Sequence, residues 1–362
     1  MTYSPLAKLR RWIANRNLDA VYITRPVSIA YLTGFEANPH ERLMALAVRS
    51  DEATLIVPSL EEEKAHARAT NVDIVAWRDG EDAYELVRRA LAGLTELGVE
   101  KEHLSLGAAE VITSRTGASE LVDVGPEVRR LRLIKDDDEI EKLQQAAAIT
   151  DETYEVVLSQ MQAGQTEIDV AMRIALAIGE LGGTLSFPSL VQSGPNSSSP
   201  HLEPTGRHLG AGDFVLLDFG AAYAGYLADT TRMAVVGEPT AKHRQIHELV
   251  LTGHDAAIAA VRAGATTGDI DAAARRVIER AGYGKEFFHR IGHGLGREAH
   301  EDPSLDPGSG TVLEPGMVFT IEPGVYIAGW GGVRIEDDVV VQENGCRVLT
   351  QADRSLRVIP ST

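Results

Sequence analysis

The sequence predicts an α+β protein that carries a smaller α/β domain at its N-terminus. Three observations lead there. Strand-like and helix-like runs alternate through the first third, a helix opened by the acidic run Asp136-Asp137-Asp138-Glu139 follows, and two segments beyond it repeat one another. The expected boundaries are residues 1–130 for the N-terminal domain and 131–362 for the larger one, in a chain of 362 residues that has room for two cores.

In the first third, Leu6, Leu9, Ile13 and Leu18 fall near helical spacing, and Ala20 to Thr24 reads as a strand. Ile29 to Gly34 reads as a short helix ended by glycine. Met44 to Val48 and Ala53 to Val57 are strand-like, Leu60 to Ala69 helical, Val72 to Trp77 a strand, and Asp82 to Leu97 a helix. Leu131 to Lys135 is expected to be a linker. The acidic run after it complements the positive end of a helix dipole, so a long helix should run to about Met161 and break at Gly164. Helices are also expected over Thr166 to Leu181 and Ala241 to Val261.

The internal repeat pairs Gly212-Asp213-Phe214-Val215-Leu216-Leu217-Asp218-Phe219-Gly220 with Gly316-Met317-Val318-Phe319-Thr320-Ile321-Glu322-Pro323-Gly324. Each copy is a glycine turn, an apolar strand, an acid six residues after the glycine, and a further glycine. A second acid-bearing segment follows each, ending at Asp229 in one copy and Glu336 in the other. Two similar half-domains are implied, each offering a hairpin with two inward acids.

Four carboxylates at strand ends in a core repel one another unless something positive holds them. Arg232 and Arg334 stand nearby, but neither is spaced to serve all four. Divalent cations are the natural answer, because hard ions prefer oxygen ligands. Between the hairpins lies Gly292-His293-Gly294-Leu295-Gly296, where glycines leave backbone room around a histidine. Asp218, Asp229, Glu322 and Glu336 balance two divalent ions, and His293 adds a neutral ligand. Five ligands for two ions require shared carboxylates and an ion separation of roughly 3.5–4 Å. The glycine-rich stretch lacks full GxGxxG spacing and a βαβ setting, which argues against a nucleotide loop.

Composition narrows the rest. A net charge of −18 argues against nucleic acid and anionic membrane surfaces as partners. The single cysteine, Cys346, leaves neither a disulfide framework nor a cysteine zinc site. No apolar run has signal-peptide or bilayer-spanning character, so a soluble, cytoplasmic protein is expected.

These motifs together resemble the metal-dependent pita-bread peptidases, above all the Xaa-Pro dipeptidases (prolidases) of the M24B group that includes creatinase and aminopeptidase P. The matching residues are Asp218-Phe-Gly, Asp229-Thr-Thr-Arg232, Gly292-His293-Gly-Leu-Gly, His300-Glu301, Thr320-Ile-Glu322-Pro-Gly and Val333-Arg334-Ile-Glu336-Asp. The resemblance implies a pita-bread catalytic domain behind a creatinase-like N-terminal domain. It implies two divalent metal ions per subunit, Mn²⁺ with Co²⁺ or Zn²⁺ as alternatives. Asp229 and Glu336 would be shared by both ions, Asp218 would complete one site, and His293 with Glu322 the other. A hydroxide bridging the metals would attack the bond preceding proline.

In the same resemblance Glu322 carries the proton, His300 stabilises the carbonyl or tetrahedral oxygen, and His201 and His289 match further site histidines. Arg334 orients Glu336 or holds a substrate carboxylate, and Thr231 supports the ligand pair. The loop from Tyr31 to Arg42 would reach the active site of a homodimer partner, with His40 or Arg42 meeting the carboxylate of the substrate. The substrates implied are small peptides with proline in second place, and dipeptidase is favoured over aminopeptidase P. Ser304 departs from the arginine that some prolidases carry there, which weakens the preference for dipeptides without reversing it. A creatinase-like enzyme or a non-catalytic binding protein of the same fold would lack part of the ligand set, and all five positions are present here.

Overall fold

The computed structural model describes residues 4–361. It separates into two compact units, Met1–Arg132 and Leu133–Thr362.

The N-terminal unit is built on a mixed six-stranded sheet, in the order 73–77, 53–58, 45–48, 20–23, 96–99, 120–123. Its four inner strands are largely buried on both faces, and side-chain alternation sorts them into two cores. Val21, Ile23, Leu46 and Val48 pack with Leu6, Leu9 and Ile13 of the first helix. Ala20, Tyr22, Ala45 and Ala47 face the other way, onto Val87, Leu91 and Ile112.

Most expected elements of this unit are present, with two corrections. The helix expected over Asp82 to Leu97 ends at Ala90. Gly93 takes a left-handed φ of 76° and turns the chain, and Glu96–Val99 becomes a strand parallel to Ala20–Ile23. The residues read as a linker also begin inside a helix, Gly125–Leu133. That helix buries Val128 and Leu131 in the N-terminal core.

The second unit shows the repeat directly. Helices Asp137–Gln160 and Glu167–Glu180 precede a hairpin of Phe214–Phe219 and Thr230–Val236. Helices Ala241–Ala260 and Thr267–Arg280 precede a hairpin of Val318–Ile321 and Asp337–Gln342. The last of these helices falls in sequence not assigned an element above. Both second helices open with the same capping box, Thr166 with Asp169 and Thr266 with Asp269.

Alternation within the first hairpin explains where its acids point. Val215, Leu217 and Phe219 pack on Ile174 and Ile178 of their own half. Phe214 and Leu216, with Met233 and Val235, join the core of the other half. Asp218 shares their parity, and Thr231 is its cross-strand partner. The acid therefore ends the face turned toward the second half.

Glycine is required where the hairpins are tightest. A Cβ on Gly220 would lie 1.6 Å from the carbonyl oxygen of Ala228, and one on Gly292 would lie 1.9 Å from that of Thr320. Both positions adjoin site residues, so side-chain-free backbone is what lets the segments close.

Replacing either cap, by Thr166→Ala or Thr266→Ala, is expected to cost about 1 kcal/mol of stability and lower the melting temperature by a few degrees. Gly220→Ala should be far more damaging, and the two classes are separated by thermal unfolding followed by circular dichroism.

Candidate metal centre

Five side chains converge from both halves. Asp218 lies near the end of its strand, Asp229 immediately precedes Thr230–Val236, Glu322 follows Val318–Ile321, and Glu336 precedes Asp337–Gln342. His293 opens a two-residue strand beside Val318–Ile321. Its Nε2 lies 3.4 Å from Glu322 Oε1 and 3.8 Å from Asp229 Oδ2. Ligand atoms of Asp229, His293 and Glu336 all fall within 4.8 Å of one another. All five line a cavity of about 910 Å³, together with His201, His289 and His300.

The electrostatics of this cluster favour positive charge. Burial pushes the carboxyl groups of Asp218, Asp229 and Glu336 above their usual range, and mutual repulsion adds to it at Asp229 and Glu336. Burial raises Glu322 to about 7. Among the described residues, the cation bonded directly into the cluster is Arg334. Its Nη2 donates to Asp218, its Nε to Thr231 Oγ1 at 2.9 Å, and its Nη1 to the Tyr326 hydroxyl at 2.9 Å.

A pair of like charges about 4 Å apart costs roughly 4 kcal/mol at an effective dielectric of 20, so one guanidinium cannot offset four carboxylates. Asp218 Oδ1 and Asp229 Oδ1 are moreover buried with no hydrogen-bond donor. Burial, and next the neighbouring His300, lower His293 to about 3, which keeps its ring in the neutral form that ligates metal. Orphaned carboxylate oxygens, repelling acids and one neutral imidazole fit hard or borderline divalent cations.

A second layer fixes these groups from behind. Thr231 Oγ1 donates to Glu336 Oε2 at 2.6 Å while accepting from Arg334, so one hydroxyl registers a guanidinium against a carboxylate. The Asp229 amide donates to Asp338 Oδ2 at 3.0 Å. Arg232, 1% exposed, reaches the carbonyls of Glu336 and Thr231 through Nη1 at 2.5 and 3.0 Å. Its Nη2 donates to Asp337 Oδ1 at 2.7 Å. Asp337 also accepts from Thr350, and His254 Nε2 lies 2.9 Å from it.

The other residues expected at the site lie in distinct settings. His300 is exposed, its ring centroid 4.0 Å from that of His293. His201 is exposed on a loop at the cavity wall. His289 packs against Tyr326 at 5.5 Å, with Nδ1 2.7 Å from the Arg290 carbonyl. Burial lowers it to about 4. His40 belongs to the N-terminal unit, exposed and at a φ of 53°, and the Arg42 guanidinium there is taken by Asp79 at 2.9 Å.

Two contributors escaped the sequence reading. Tyr326 lies between Glu322 and Glu336 in the second copy of the repeat, a place that gives no sign of its bond to Arg334. Glu167, fully buried, anchors both ends of the His201 loop. Its Oε1 accepts from the Ser193 amide at 2.7 Å, and its Oε2 from the Thr205 amide at 2.9 Å and hydroxyl at 2.6 Å. In sequence it reads only as an acid in a first helical turn.

Residues 141–343 match the model of metallopeptidase family M24, and residues 5–134 that of the creatinase/prolidase N-terminal domain. A Lactobacillus helveticus protein named Xaa-Pro dipeptidase is 39% identical, over 98% of this chain and 99% of its own. Among solved structures, an Xaa-Pro dipeptidase from Bacillus anthracis superposes with a TM-score of 0.92 at 35% identity, over 98% of this chain and 99% of that one. An X-Pro aminopeptidase from Thermotoga maritima does so at 0.91 and 30%, with the same coverage. The motifs, the duplicated unit with its five convergent side chains and these full-length similarities agree, and the chain belongs to metallopeptidase family M24.

Proposed function

We propose that this protein is a metal-dependent Xaa-Pro dipeptidase, hydrolysing the peptide bond before proline in small peptides. The observation that carries the proposal is the cluster of Asp218, Asp229, His293, Glu322 and Glu336 in a cavity that also holds His201 and His300. It is supported by full-length similarity to proteins named Xaa-Pro dipeptidase. Asp229 and Glu336 would be shared between two divalent ions, with Asp218 on one and His293 and Glu322 on the other. Mn²⁺ is the ion we favour over Co²⁺ and Zn²⁺, since four of the five ligands are carboxylates. When bound, such ions polarise a carbonyl and bring the pKa of water near neutrality.

The chain's own groups divide the remaining work. Glu322 takes a proton from the attacking water and returns it to the leaving nitrogen. His300, though exposed as a whole, is desolvated enough on its ring to lower its pKa, with the Arg290 charge adding to the effect, so a neutral ring donates its N–H to the carbonyl oxygen as charge develops there. His201 meets the proline end, and His289 braces the wall beside Tyr326. Arg334 has its fork committed to Asp218, Thr231 and Tyr326, so its task is to hold the ligands in register. The apolar wall of Phe187, Pro188, Leu202 and Phe288 accepts the pyrrolidine ring. A homodimer in which His40 serves the partner, and a cytoplasmic setting, complete the proposal; no helix among the described residues is long and apolar enough to cross a membrane.

A second reading, Xaa-Pro aminopeptidase, is favoured by Ser304 and by the similarity to the Thermotoga maritima protein. Comparing proline-bond cleavage in an Xaa-Pro dipeptide and an Xaa-Pro-Yaa tripeptide decides between them. Faster turnover of the dipeptide is expected, and a preference for the tripeptide would overturn the dipeptidase reading.

Metal removal should leave a folded but less stable protein, with a clear sign in pH. The carboxyl groups have raised folded pKa values, so their charged forms destabilise the fold, and this cost grows as pH rises through those values. Mn²⁺ cancels the cost but competes with protons as pH falls. The melting-temperature gain on adding Mn²⁺ is expected to be larger at about pH 7.5 than at about pH 5.5, and a gain independent of pH would contradict it.

Glu336→Gln should lose metal and reduce turnover by more than about 100-fold, as read by atomic absorption and proline release. Glu167→Ala should keep its metal yet lower kcat/KM by about tenfold or more, because the loop bearing His201 loses its anchor. A drop in metal content in the Glu167 variant would show that the residue supports the ligands instead.

A further inference from the structure

The side chain of Lys135 is 1% exposed, and its Nζ lies 2.7 Å from Oε1 of Glu301, whose side chain is 7% exposed. Burying an ammonium is costly unless a partner meets it, and Glu301 is that partner. Such a pair contributes little more stability than apolar side chains of the same volume would. What it does supply is a fixed distance between two segments that lie 166 residues apart in sequence.

The glycines around His293 make room for this pair. Glu301 stands opposite Gly294 in the strand pair, and a Cβ on Gly296 would lie 2.4 Å from Glu301 Oε1. One on Gly294 would lie 2.1 Å from the carbonyl oxygen of Asp302. Glu301 and Asp302 thus lie directly on the bare backbone of Gly294 to Gly296, and the Glu301 carboxylate passes Gly296 to meet Lys135.

Lys135 is itself a fixed point. Its amide donates to the Gly316 carbonyl at 2.9 Å, Ile134 before it bridges Met317, and Asp136 after it caps helix Asp137–Gln160. Met317 runs directly into strand Val318–Ile321, which ends beside Glu322. His300, one residue ahead of Glu301, is exposed, and its ring faces that of His293. An exposed residue has little packing to hold its ring, so the backbone at Glu301 sets where it stands.

We infer that Lys135 is a positioning residue for the hydrolysis: paired with Glu301, it holds His300 in reach of the carbonyl oxygen on which charge develops. The inference deepens the proposed reaction and rests on the role given there to His300. Lys135 does not line the cavity. Its tether acts on kcat, because the placement of His300 matters most in the transition state.

The test measures cleavage of an Xaa-Pro dipeptide by the Mn²⁺-loaded protein for wild type, Lys135→Met, Lys135→Arg and the doubly neutral Lys135→Met/Glu301→Gln. Lys135→Met is expected to lower kcat by about 10- to 100-fold, with KM changed by less than about threefold and metal content held. Lys135→Arg should recover part of the loss. The double variant leaves no unpaired charge, so its melting temperature should return toward wild type while kcat stays low. In a His300→Ala background, Lys135→Met should change kcat by less than about twofold, since the group it positions is gone. Recovery of kcat along with stability in the double variant, an undiminished loss in the His300→Ala background, an unchanged kcat or a loss of metal in Lys135→Met would each overturn the inference and leave the dipeptidase reading intact. Wild type that cleaves only an Xaa-Pro-Yaa tripeptide would overturn the dipeptidase reading alone, and the same comparison is then made on the tripeptide. Cleavage of neither substrate by wild type would overturn both.

Discussion

Mutual repulsion among buried carboxylates is the constraint on which the second unit depends. Asp218, Asp229 and Glu336 are each at most 7% exposed, and a single guanidinium lies among them. In an ordinary core this arrangement would be discarded, since each unpaired buried charge costs several kcal/mol. On the proposed reading it is retained because the repulsion would become affinity for divalent metal. Arg334 tempers that field without cancelling it, and Thr231 keeps the guanidinium at a fixed distance from Glu336.

Rigidity follows from the same requirement. Like charges that repel will turn outward to water unless the backbone beneath them is fixed. The Arg232 clamp on the Glu336 and Thr231 carbonyls, the bond from the Asp229 amide to Asp338, and the side-chain-free approaches at Gly220 and Gly292 supply that fixity. They are buried and hydrogen-bonded, so the acids have no conformational escape.

Much of this could be read from the chain alone. One acid after an apolar strand is ordinarily a turn or cap residue, but four in two matching copies stand out as a set. The repeat fixed their pairing, and the acidic run before Asp137–Gln160 is an ordinary dipole complement that becomes a capping box. What stayed hidden was either a break in weak local preference or an interaction between distant residues. Leu91, Leu94 and Leu97 keep helical spacing, and only the left-handed turn at Gly93 diverts them into a strand. Glu167 and Arg290 look like solvated charges in sequence. Their positions in the structure come from contacts 26 residues away at Ser193 and 14 away at Ser304.

The crossing of the two hairpins has a consequence for how the chain comes together. Asp218 and Asp229 come from one half and Glu322 and Glu336 from the other, and the Glu336 amide donates to the Thr231 carbonyl at 3.2 Å across that join. Neither half possesses a metal site by itself. The cluster is thus a product of assembly: its carboxylates meet only where both copies of the repeat have closed on one another.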